Sequence, residues 1–242
     1  MSLTVGSLFA GIGGFDFGLE RAGMSVKWQV EIDPYCNRVL AKHWPSVPRY
    51  GDICAMDWAT VQPVDLLCGG FPCQDISLCG NGAGLSGARS GLWREMVRAV
   101  RMVRPRYVIV ENVAALRGRG LGEICGDLAC SGYDTEWDCI PASIVGAPMR
   151  RERLYLVAQY QCERSAWGGF QPLERVAEFS WNQNVRGIKD LQGRSAIPQP
   201  LIRGTCDGIP DWMDRLHAIG NSIVPQIAEA LGRMILRAEE TA

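Results

Sequence analysis

Histidine and lysine are almost missing from this chain, with two and three copies in 242 residues. His43 and His217 cannot build a zinc site between them, and none of the ten cysteines stands in a Cys-x-x-Cys pair. The usual metal-ligand spacings are therefore excluded, and no metal is expected. A chain of this length with 47% hydrophobic residues does not need disulfide staples. Free thiols in a reducing cytoplasm are the better reading. No apolar run reaches bilayer length, and the N-terminus has no basic segment followed by an apolar one. A cytoplasmic protein with no membrane partner is expected. Repeats and low-complexity tracts are also lacking, and the net charge is only −1.

What is there is arginine. It gathers at Arg98, Arg101, Arg104 and Arg106, at Arg117 and Arg119, and at Arg150, Arg151 and Arg153. Each group reads equally well as solvated surface or as a track for a phosphate backbone, because local patches outweigh whole-chain charge.

Apolar periodicity sets out the architecture. Residues 3–9 read as a first strand, 15–22 as a helix, 26–32 as a second strand, and 34–43 as a helix opened by Pro34. A short third strand ends near Tyr50. Residues 64–67 form a fourth strand, 92–103 a helix and 106–110 a fifth strand. Alternation of this kind predicts an α/β fold with a doubly wound, mostly parallel sheet. Residues 133–140 and 153–160 read as a closing antiparallel pair. Residues 161–209 carry no clear period, and their tryptophans, glycines and prolines suggest a small inserted lobe. Helix returns over 212–238, interrupted at Gly220-Asn221-Ser222. The expected division is a catalytic domain of residues 1–160 and 211–242, with a small insert over 161–210.

Five short blocks carry chemistry. Phe9-Ala10-Gly11-Ile12-Gly13-Gly14-Phe15 is a glycine turn between the first strand and helix, where a nucleotide-like ligand can approach the backbone. Asp16 stands where the dinucleotide fingerprint needs glycine, which weakens a dinucleotide oxidoreductase reading. Glu31, at the end of the second strand, can accept two ribose hydroxyls. Asp52-Ile53, after the third, sits where adenine would be read. Together they suit an adenosyl ligand without a pyrophosphate, such as S-adenosylmethionine. Gly69-Gly70-Phe71-Pro72-Cys73-Gln74 follows the fourth strand and holds one thiol at a sheet edge, where a lowered pKa makes it a nucleophile. Glu111-Asn112 follows the fifth strand. A buried Glu there can hold a proton for a ring nitrogen. In an extended strand Arg151 and Arg153 share a face that can meet a carbonyl oxygen, a phosphate or Glu111. Gly220-Asn221-Ser222 can cap a helix while facing a ligand.

In this order the blocks resemble the cytosine-C5 DNA methyltransferase family, over residues 3–160 and 211–236. The resemblance implies a Rossmann-like, S-adenosylmethionine-dependent fold and an enzyme that acts on duplex DNA. It implies that Cys73 is the nucleophile and that Glu111, Arg151 and Arg153 hold the target base, with Phe71, Pro72, Gln74 and Asn112 around it. It places Phe9, Ala10, Gly11, Gly13, Gly14, Glu31, Ile32, Asp52, Ile53, Leu92, Asn221 and Ser222 at the cofactor, and makes residues 77–90 a mobile catalytic loop. Met149 stands where the family usually has Gln. The insert is short for a target-recognition domain, so a short or relaxed recognition sequence is expected. Compact members of this kind resemble phage or prophage enzymes; a monomer is expected, with a restriction endonuclease as a possible companion in the same system. A tRNA cytosine-C5 methyltransferase would share every catalytic residue, and a catalytically inactive DNA-binding relative is the other rival.

Overall fold

The computed structural model describes residues 2–72, 91–147, 151–161 and 220–241. Seven strands form one sheet: β1 (Thr4–Leu8), β2 (Ser25–Val30), β3 (Arg49–Tyr50), β4 (Leu66–Gly69), β5 (Tyr107–Val113), β6 (Tyr133–Pro141) and β7 (Glu152–Tyr160). Their spatial order is β3-β2-β1-β4-β5-β7-β6. The first five are parallel, and β7 runs antiparallel to both β5 and β6. The doubly wound, mostly parallel α/β sheet is therefore present, with its antiparallel closure. The chain leaves β1 toward β2 and β3 on one side, then crosses back to β4 on the other. The carboxyl ends of β1 and β4 thus flank the switch point at which open α/β sheets bind ligands.

Five helices are described: α1 (Gly14–Ala22), α2 (Pro34–His43), α3 (Gly91–Val103), α4 (Leu121–Ala129) and α5 (Pro225–Thr241). Pro34 starts α2 because its missing N–H is no loss there, and the Asp33 side chain accepts the Cys36 N–H. Both faces of the sheet are covered. Leu67, Val108 and Val110 meet Trp93, Met96 and Val100 of α3 on one face. Leu66, Cys68 and Ile109 meet Phe15 and Leu19 of α1, with Ile227 and Leu231 of α5, on the other. Strands buried on both faces read as unbroken apolar runs, as β4 and the first four residues of β5 do. Helices α1 and α5 approach closely at Gly18, where a Cβ would lie 2.3 Å from the Pro225 carbonyl oxygen.

Several boundaries differ from expectation, two of them with a clear physical reason. β4 begins two residues later, because the Asp65 carboxylate accepts the Thr4 N–H and hydroxyl instead of flanking a strand interior. β5 runs on through Glu111, Asn112 and Val113, which pair with Tyr155, Leu154 and Arg153 of β7. Helix α4 was not anticipated. Cys73, Gln74, the 77–90 loop, Met149, the insert after Gln161 and the helix start at 212–219 lie outside the described residues.

Candidate active site

A cavity of about 470 Å³ opens at the switch point. Its floor is the turn after β1. Phe9 (φ 51°) and Gly11 (φ 56°) both adopt left-handed backbone, which bends the chain sharply off the strand. Phe9, Ala10, Gly11 and Gly14 line the cavity. Gly13 does not line it: a Cβ there would lie 2.4 Å from the Trp44 ring, so this glycine makes room for a tryptophan. Trp44 is held in turn by its Nε1–H, which donates to Glu20.

Glu31 stands at one end of the cavity. One carboxylate oxygen accepts the Gly11 N–H and the other the Asp33 N–H, each at 2.7 Å. The side chain is pinned inward, not left as a solvated strand end. An ionised carboxylate oxygen accepts more than one hydrogen bond, so both oxygens keep capacity for a vicinal diol. Ile32 beside it is 68% exposed yet lines the cavity, an apolar surface for a flat ring or sugar edge. Asp52 and Ile53 line the same end, as does Leu92 from α3. The Asp52 carboxylate accepts the Cys54 N–H and opens a short 3₁₀ turn, Ile53–Ala55.

Glu111 stands at the other end. It is 7% exposed, and the Arg153 Nε lies 3.2 Å from its carboxylate. Burial pushes its pKa up to about 7, with Arg153 and then Arg151 pulling the other way. Burial wins, and the carboxyl holds its proton well above the usual carboxylate range. Gly70 makes this position possible, because a Cβ there would lie 2.7 Å from the Glu111 carboxylate. The Asn112 amide donates to the Phe71 carbonyl at 3.1 Å and so fastens β5 to the segment that leads into Cys73. The Phe71 ring is buried against Trp93, 5.4 Å between centroids. Phe71 and Pro72 nevertheless line the cavity, as do Asn112, Glu111, Arg151 and Arg153.

The two arginines divide their work. Arg153 pairs with Glu111, whereas Arg151 donates to the carbonyls of Gly220 and Ser222, both at 2.6 Å. Arg151 therefore brings the Gly-Asn-Ser segment into the wall, and Asn221 and Ser222 line the cavity. Sequence reasoning missed Val30, Asp33, Cys36, Gly51, Gly70, Val113 and Ile223 as lining residues. Gly70 had a readable signal in the second glycine before Phe71-Pro72. Among the described residues no cluster of His, Cys, Asp or Glu could hold a metal, and no helix is long and apolar enough to cross a membrane.

The arginine group on and after α3 has mostly internal partners. Arg98 reaches three backbone carbonyls and Arg101 reaches Ser131. Arg104 contacts the Tyr160 hydroxyl and ring, and Arg106 pairs with Glu239.

Comparison with known proteins matches these features to one family. Residues 3–201 match the C-5 cytosine-specific DNA methylase family. The type II methyltransferase M2.BsuMI of Bacillus subtilis is 34% identical over 229 residues, covering 86% of this chain and 58% of that protein. M.HhaI of Haemophilus parahaemolyticus is 32% identical over 154 residues, covering 62% and 47%. A solved structure described as a DNA modification methyltransferase encoded within an E. coli prophage superposes with a TM-score of 0.57 at 26% identity. It covers 66% of this chain and 47% of its own. The chain spans about half the length of the curated relatives it matches. By this match and by the identity shared with its relatives, the chain belongs to the C-5 cytosine-specific DNA methylase family.

Proposed function

We propose that this chain is an S-adenosylmethionine-dependent DNA (cytosine-5-)-methyltransferase that modifies a cytosine flipped out of duplex DNA. One observation carries the reading. A buried Glu111, paired with Arg153, lines the same cavity as Glu31, whose two carboxylate oxygens are fixed by the Gly11 and Asp33 N–H groups.

The cavity fits the donor. Glu31 would take the ribose hydroxyls. Asp52, Ile53 and Leu92 would flank the adenine, and the Phe9–Gly11 turn, Gly14, Asn221 and Ser222 would close the remaining walls. When bound, S-adenosylmethionine supplies the methyl group as a sulfonium-borne electrophile. The other steps belong to the chain. Cytosine C5 is too weak a nucleophile alone, and a stacked base cannot be reached, so the base is turned into the cavity. The Cys73 thiolate forms a bond to C6 while Glu111 gives its proton to N3, leaving C5 enamine-like. Arg153 keeps the Glu111 carboxyl oriented and donates to the base carbonyl. Once C5 carries the methyl group, its proton leaves to a base, the C6–S bond breaks and N3 returns its proton. Thiolate and 5-methylcytosine are restored.

Duplex DNA is the partner in this reading. The enzyme acts as a monomer in the cytoplasm of a bacterium or phage-infected cell, and any restriction endonuclease of the same system need not touch it. The test is transfer of labelled methyl to duplex DNA and to tRNA, with 5-fluorocytosine duplexes to trap the adduct. DNA labelling and a trapped adduct that Cys73→Ser abolishes are expected. Labelling of tRNA alone would overturn the substrate, and donor binding without transfer would favour an inactive relative.

A further inference from the structure

We propose that Arg98, outside the cavity, is the positioning residue that sets its adenine-side wall, an inference that rests on reading the cavity as the adenosyl site. Arg98 lies on α3 with its side chain 41% exposed and its Nε on Glu95 at 2.7 Å. Its Nη2 reaches the carbonyls of Ile53 (3.1 Å) and Cys54 (3.4 Å), and Nη1 reaches that of Met56 (3.3 Å). These carbonyls belong to the 3₁₀ turn Ile53–Ala55 and its C-cap, the same turn whose first residues, Asp52 and Ile53, line the cavity.

The turn is also held by the Ala55 N–H on the Asp52 carbonyl at 3.0 Å and by the buried side chains of Ile53 and Met56, but among the described residues no other side chain is seen to reach the carbonyls that Arg98 gathers. It is one short 3₁₀ stretch, capped by the Asp52 carboxylate at its start, with a weak 3.3 Å bond from the Met56 N–H to the Ile53 carbonyl at its end. Short 3₁₀ pieces have poor hydrogen-bond geometry, and carbonyls at a helical C-terminus carry partial negative charge. A guanidinium, planar and always charged, satisfies several of them from one side. Glu95 fixes the guanidinium in turn. Helix α3 therefore shapes the cavity twice, directly through Leu92 and indirectly through Arg98. A contact made to the resting wall acts alike on ground and transition states, so losing it weakens donor binding without slowing the saturated step.

The experiment is calorimetric titration of S-adenosylhomocysteine into the wild-type chain and Arg98 variants, beside donor kinetics on duplex DNA. Arg101→Ala serves as the control, since Arg101 is on the same helix and meets Ser131 instead. Arg98→Ala is expected to weaken S-adenosylhomocysteine about tenfold and to raise the donor KM in step, with kcat and the DNA KM unchanged. Arg98→Lys, which returns a charge but not the fork, should recover part of the affinity. If Arg98→Ala does not fold, Arg98→Gln decides, with a loss of several fold expected. Affinity within twofold of the Arg101→Ala control overturns the proposal, and so does a kcat that falls while the donor KM stays. A wild-type chain that binds no S-adenosylhomocysteine removes the adenosyl reading beneath it.

Discussion

Glu111 and Asp16 are two buried acids in different surroundings. Both are raised by burial, Glu111 to about 7 and Asp16 to about 6. Glu111 lines the cavity, and in the proposed mechanism its proton goes to the substrate. Asp16 faces the core, where its carboxylate accepts the Ser7 hydroxyl and the Gln29 amide. A raised acid contributes stability that is complete below its unfolded pKa and lost as pH rises through the folded value. For Asp16 that window lies between about 4 and about 6. Asp16→Asn should remove this pH dependence, changing the stability gap to wild type by ~3 kcal/mol across the window, as read by urea denaturation at several pH values. Glu111→Gln keeps the shape and loses the transferable proton. Methyl transfer should fall at least about a hundredfold, with donor binding retained. The limb of kcat/KM that declines above about pH 7 should vanish from the residual activity; persistence of that limb would assign it elsewhere. The sequence made Glu111 legible because a lone acid follows an apolar run. It did not separate the two arginines, since an extended strand gives Arg151 and Arg153 the same face, while only the fold brings Gly220 and Ser222 to one of them. Gly13 was not distinguishable from Gly11 for a similar reason: a glycine that lines a cavity and one packed on a tryptophan look alike in sequence.

At the scale of elements, periodicity served best where both faces of a strand are apolar. It ended β5 too early because Glu111 and Asn112 are polar, yet both pair with β7. Helix α4 was passed over because Gly122 and Gly126 dilute it, although Leu121, Ile124 and Leu128 are buried at helical spacing. Glycines in two helices make a sharp contrast. At Gly126 an added methyl would meet nothing within 4 Å, whereas at Gly18 it would strike the backbone and Ala228 of α5. Gly126→Ala should stabilise the protein by about 0.5–1 kcal/mol. Gly18→Ala should destabilise it by roughly 1–3 kcal/mol as the helices are forced apart. Denaturant midpoints compare the two directly, and equal shifts would mean that α1 and α5 are not in close contact.

Across the whole molecule, α5 completes the face that α1 begins, and the residues just before it complete the cavity. Tyr107 and Arg106, at the opposite end of the sheet from the cavity, bind Glu239 and anchor the far end of that helix. Deleting residues 220–242 should therefore uncover Phe15 and Leu19, giving dye-binding apolar surface and no cooperative calorimetric transition. A sharp transition in the truncated chain would show that the sheet folds without α5. Sequence could indicate this closing helix but not its docking, because the partner faces lie some two hundred residues apart in the chain.

Arg151, the residue before β7, ties the start of that strand to Gly220 and Ser222, so the cavity wall joins parts of the chain far apart in sequence. On the ribosome, a chain that has emerged only through β7 has its Glu31, its Glu111 and both arginines, but lacks the wall made by Asn221 and Ser222. Such a nascent chain carries the groups assigned to the proposed chemistry and lacks one wall of the cavity. The wall closes only with residues 220–222, when two backbone carbonyls reach the Arg151 guanidinium.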